Sequence, residues 1–209
     1  MPSLTLIIIL VKVVSIFGLR QHSRISSALY MGGGIVRGDS LPQLIKLIEN
    51  SNKGVITNDR AQVVELIEMI GDKNSAFITN DATISTRVSG NWELLWTTEK
   101  ETLFFIKNGL FGRKVTSVMQ SIDFKDNKIQ NIIKFQNDGD FSVTGAISTS
   151  STMRNRINFN FTDASILFPP FSRIFFPPVG KGWFDNIFVN DKYRLSKDIR
   201  GDYLISKKI

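Results

Sequence analysis

With 209 residues, 42% of them hydrophobic, the chain can bury one sizeable core and is too short for two comfortable domains. It has no cysteine, which excludes disulfides, thiolate metal clusters and thiol catalysis; its single histidine, His22, falls in a segment read below as a leader, leaving the body without an imidazole for base or metal chemistry. Of the net charge of +7, four units (Lys12, Arg20, Arg24, Arg37) lie in residues 1–38, which hold no acid, and the remaining 22 basic and 19 acidic residues make an ordinary surface that argues against a nucleic-acid partner.

Leu4 to Val14 is an apolar run interrupted only by Thr5 and Lys12. It is shorter than the roughly twenty residues a bilayer span needs and has the length of a signal h-region. Ser15 to Arg37 is rich in Ser and Arg, lacks acids and contains Gly32-Gly33-Gly34, a transit-like composition. Together they predict a bipartite targeting leader over 1–38 ahead of a folded domain over 39–209. A short membrane-anchoring helix, or a mis-set start, is the plainer alternative.

From Ser40 the periodicity becomes helical. Leu41, Leu44, Ile45 and Ile48 recur at helical spacing, with Pro42 tolerated in the first turn. Asn50 to Gly54 breaks the pattern. A second helix from Asn58 or Asp59 carries the stripe Val63, Leu66, Ile67 and Ile70 and is expected to stop at Gly71. Both helices are expected to cap a barrel end.

Ser89 to Thr98 alternates: Trp92, Leu94 and Trp96 on one face, Asn91, Glu93 and Thr97 on the other. Gly90 suits a bend where a closed sheet begins. Leu103 to Lys107 reads as the next strand, turning at Asn108-Gly109. Val115–Phe124, Lys128–Gln136, Phe141–Ile147 and Ile157–Phe161 alternate in the same way, with Asp126-Asn127 and Asp138-Gly139 as turn signals. Short half-wet strands joined by tight turns predict an antiparallel meander that closes as a barrel or sandwich.

Residues 166–178 then hold four of the sixteen phenylalanines and four of the six prolines, which forbids a helix or a central strand there. So apolar a loop either plugs its own barrel or meets a greasy surface, and the two are compatible. Phe168, Phe171, Phe175 and Phe176 are the membrane-facing candidates, with Arg173 and Lys181 placed for anionic head groups. The last strands run through Gly180–Val189, Tyr193–Leu195 and Asp202–Ile205, and the final one is expected to close against the Trp92 strand.

Ser89–Thr98, the stretch Pro177-Pro178-Val179-Gly180-Lys181-Gly182-Trp183-Phe184-Asp185 and the closing Tyr193–Tyr203 segment resemble the plastid-lipid-associated protein family, the fibrillins. Asn52-Lys53-Gly54, Met119–Asp123 and Asn131–Ile133 are similar to its lead-in and middle strands; Lys197 and Phe188 depart from it, where arginine and tyrosine are usual. The Gly90-Asn91-Trp92 opening also resembles that of lipocalins. The resemblance implies a mainly β, α+β fold: a lipocalin-like antiparallel barrel capped by one or two short helices, in plastids, at thylakoid membranes or plastoglobules. It implies a non-enzymatic binder of carotenoid, prenylquinone or fatty acid, with no metal, cofactor or catalytic residue.

On this reading Trp92, Trp96, Phe135, Phe159 and Phe161 line the interior, and Gln120 and Asn131 are its inward polar groups. Plain core packing is the alternative for each, because small barrels fill themselves with side chains. Arg194 and Arg200 are expected to stack on Trp92 or to pair with Asp198 or Asp202 in structural roles. A coat protein of lipid bodies with no internal ligand is the second functional reading. A lipid-modifying enzyme is a distant third, since no nucleophile elbow, phosphate loop or metal set is present.

Overall fold

The computed structural model describes residues 40–56, 59–74, 81–177 and 180–209, so the expected leader lies outside the described residues. Eight strands form a closed ring: β1 (Gly90–Thr97), β2 (Val115–Asp123), β3 (Lys128–Phe135), β4 (Asp140–Thr149), β5 (Arg156–Leu167), β7 (Gly180–Val189), β8 (Tyr193–Asp198) and β9 (Tyr203–Lys208). Each is antiparallel to both neighbours, and β9 returns to β1, with Trp92 opposite Lys208 and Leu94 opposite Ser206. This is the up-and-down meander that the alternation and the turn residues predict. Asp123 and Asn190 set two of the hairpins by accepting from backbone amides two and three residues on.

The Phe-Pro stretch is more regular than its prolines suggest. β5 continues to Leu167, and a short β6 (Ile174–Phe176) pairs with its far half, Phe176 opposite Ala164, while β7 pairs with the near half from Arg156 to Phe161. A strand-length partner for β5 is thus cut in two at Pro177, whose missing amide would interrupt a ladder.

The helices depart from expectation in four ways. α1 (Ser40–Ile48) and α2 (Arg60–Asn74) lie on the outer wall and not on a barrel end: Leu44, Ile48, Val63, Leu66, Ile67 and Ile70 pack with Trp96, Leu195, Tyr203 and Ile205. Those strands are apolar on their outer face, so that face needs a cover, and each large side chain buried there contributes roughly 1.5–3 kcal/mol. α2 runs past Gly71, because a Cβ there would come within 2.6 Å of Ile187 Cγ2; the glycine permits close approach of helix to β7 and does not stop the helix.

Leu103 to Lys107, expected as a strand, belongs to α4 (Lys100–Asn108). A short apolar run does not separate the two periodicities. Gly109, at φ +68°, ends this helix with its amide on the Phe105 carbonyl at 2.7 Å, where a hairpin turn was expected. A third helix, α3 (Asp81–Val88), leads into β1. α3 and α4 supply the caps at the two ends: Val88 packs beside Trp92 at one, and Phe105 beside Phe135 at the other.

Candidate functional site

The bulge in β1 divides its tryptophans. Trp92 is fully buried inside, donating from Nε1 to the Val88 carbonyl at 2.7 Å. Between Leu94 and Trp96 the register slips, which turns Trp96 to the outer wall among the helices; it does not line the interior. The slip is held by the turn before α2. Lys53 Nζ donates to the Leu94 carbonyl at 2.6 Å, and Gly54, at φ +99°, brings its backbone so close that a Cβ would stand 2.4 Å from the Thr97 carbonyl oxygen.

The other expected lining residues converge inside. Phe159 and Phe161 have ring centroids 4.8 Å apart, and Phe159 stacks 6.3 Å from Phe184. Phe135 sits toward the α4 end, edge-on to Phe105. Gln120 faces Trp92 across the β1–β2 pair and donates from Nε2 to Asn131 Oδ1 at 2.8 Å. Val118, Gln120, Asn131 and Phe159 point inward yet keep some accessible surface. An eight-stranded barrel is wide enough to be filled or to hold one small ligand.

One inward group stands apart. Arg194, 1% exposed, has its guanidinium carbon 5.2 Å from the Trp92 ring and 5.4 Å from that of Phe184. Its Nη2 donates to Gln120 Oε1, while Nε and Nη1 have no hydrogen-bond partner. Burial pushes its pKa down to about 9. Together with Asn186, Ser196, Ser206, Gln120 and Asn131 it makes a polar strip on the inner wall. The expected stacking on Trp92 is therefore present, but its incomplete partnership was not foreseeable from the sequence.

At the α4 end the barrel rim is aromatic. Phe168 turns inward, 5.6 Å from Phe135 and 5.1 Å from Phe111, with the Arg113 guanidinium 5.0 Å from its ring. Phe176 also packs on the interior cluster. Phe171 and Phe175 are each 72% exposed, joined by Phe104 at 57%, Phe111 at 48% and Ile174 at 42%. The loop thus plugs with two phenylalanines and presents two. Arg173 is committed to Asp140 through two 2.7 Å bonds, so it does not stand free for a head group; Lys181 remains exposed. Phe104 falls in the stretch expected as a strand and Phe111 between the expected Asn108-Gly109 turn and the next strand, so sequence alternation marks neither as a rim residue.

The same end carries an ionic cluster. Arg200 reaches Asp198 at 3.0 Å, Glu99 and Glu101 at 3.2 Å and Asp202 at 3.7 Å, tying the β8–β9 turn to the start of α4. Burial pushes Glu99 up to about 7 against the pull of Arg200. On the outer wall Lys197 and Tyr203 meet Glu68 of α2, which gives Lys197 a polar role in holding the helix layer.

The PAP_fibrillin family model matches residues 40–175. Over 164 residues the chain is 40% identical to "Probable plastid-lipid-associated protein 11, chloroplastic" of Arabidopsis thaliana, covering 78% of this chain and 76% of that protein. Among solved structures it is similar to a lipocalin-like protein from Bacteroides uniformis, at 17% identity and a TM-score of 0.36, covering 59% of this chain and 99% of the other.

Proposed function

Because the chain belongs to the PAP_fibrillin family of plastid-lipid-associated proteins, we propose that it works in plastids as a non-enzymatic carrier or organiser, enclosing one apolar small molecule in its barrel. Carotenoids, prenylquinones and fatty acids are the ligand classes. The observation that carries the reading is the inner wall: aromatic and aliphatic around most of the ring, broken by one polar strip, with inward residues that keep accessible surface. Sites for apolar ligands combine these two features, a greasy lining and a few polar anchors that orient the molecule. Trp92, Phe135, Phe159 and Phe161 are the proposed lining, and Gln120 and Asn131 the proposed polar contacts.

The test is native mass spectrometry with solvent extraction of the protein recovered from its plastids. One pigment, quinone or acyl chain per protein supports the carrier. Protein that is folded and empty, and takes up none of the three classes when offered, sinks it.

A second reading, a coat on thylakoid or plastoglobule surfaces, draws on the exposed rim of Phe104, Phe111, Phe171, Ile174 and Phe175. Replacing Phe171 and Phe175 by Ser is expected to lower flotation with vesicles of galactolipid at least several-fold. Ligand uptake should be unaltered if the rim and the interior act separately.

A further inference from the structure

We propose that Arg194 is an anion-binding residue, and that the molecule enclosed by this barrel is an apolar chain ending in a single carboxylate. The inference deepens the carrier reading and rests on it. Buried polar groups are normally satisfied, and a buried charge is normally paired. Arg194 is neither: it is fully enclosed, two of its three nitrogens lack an acceptor, and it forms no ion pair among the described residues.

What surrounds it is chosen for a cation and not for an acid. Trp92 and Phe184 offer ring faces, and Gln120 offers one amide oxygen. Gln120 is itself fixed by Asn131, so its oxygen is aimed at Arg194 and its nitrogen is used elsewhere. A second cation, Lys208, stands 5.2 Å from the Trp92 ring and donates to the Arg87 carbonyl at 3.4 Å. The carboxylate at an inward register position on β8, Asp198, is four residues away, roughly 13 Å along the strand. It is already held by Arg200.

The protein therefore supplies positive charge, donors and a greasy wall; the unpartnered acceptor on the same inner face, Asn186 Oδ1, is a neutral amide, and no carboxylate pairs with Arg194 among the described residues. A neutral carotenoid or quinone would leave both nitrogens bare, whereas a carboxylate satisfies them with charge-assisted bonds. A diphosphate would bring at least two negative charges into this apolar wall, a larger desolvation cost than a single carboxylate carries. A fatty acid or another acid with a long apolar tail meets both demands, its carboxylate at Arg194 and its chain against the aromatic side of the wall at Phe159 and Phe161.

The test uses the full chain, stripped of lipid, with cis-parinaric acid, its methyl ester and farnesyl diphosphate. The acid is expected to bind about tenfold or more tightly than the ester. In Arg194→Met that preference should vanish while the ester still binds, and in Arg194→Lys part of it should remain. Equal affinity of acid and ester in the unaltered protein overturns the proposal and leaves the carrier standing, and this comparison decides the matter even if the Arg194 variants fail to fold. Stronger binding of farnesyl diphosphate than of the acid overturns the carboxylate assignment. If neither acid nor ester binds but a carotenoid or prenylquinone does, the carboxylate assignment falls and the carrier stands; if none of these classes binds, the carrier reading itself fails.

Discussion

Gly54 illustrates how much a single position can hold. Its left-handed backbone and its approach to the Thr97 carbonyl leave no place for a side chain. Gly54→Ala is expected to cost roughly 2–4 kcal/mol, seen as a lower urea midpoint with an unchanged slope. Glu99 gives a pH signature. Its carboxyl is raised to about 7 in the fold from an ordinary 4.5. The folded state therefore holds the extra proton between those values, and stability falls as pH climbs through that window, by at most about 3 kcal/mol. Glu99→Gln should flatten the fall in unfolding free energy between pH 5 and 8; an unchanged slope would place the titration elsewhere. Trp92, Gln120, Asn131 and Phe159 were legible as one inward line because strand alternation is local. Trp96 was not, because the bulge that turns it outward is fixed by Lys53, 41 positions before the carbonyl it binds. The unpartnered state of Arg194 was equally hidden, since it depends on what the opposite strands do not bring.

Among the elements, α1 and α2 were legible from their stripes, and every stripe residue of α2 is buried. Their seat was not, because sequence periodicity says which face of a helix is covered and not by what. Trp96 joins this layer to the barrel. Trp96→Ala is expected to cost about 3–5 kcal/mol, measured by urea unfolding, and to leave the preference among apolar ligands unchanged, because the side chain lies outside the cavity. α4 was hidden for a different reason: the run Leu103-Phe104-Phe105-Ile106 carries no periodicity of its own, and its helical state is set by the Arg200 ion pairs at one end and Gly109 at the other. The Phe-Pro stretch was legible as apolar and interrupted, and the alternation of Phe175 outward and Phe176 inward follows from the pairing of β6 with β5.

For the whole molecule, the closed meander was the most legible feature, because turn residues and half-wet strands repeat along the chain and sequence neighbours pair in space. Closure hides every strand edge except those near β6. That exception has a kinetic consequence. β6 is held by three residue pairs on one side and by no strand on the other, between two stretches that contain proline. The ring thus has a seam beside Phe161, where opening costs only a few hydrogen bonds and does not unfold the barrel. In deuterated water the amides of Ile174 to Phe176 should exchange through this local opening well before those of β3 and β4, and a bound acyl chain should slow them. The wall of the container would then be the part that registers whether it is full.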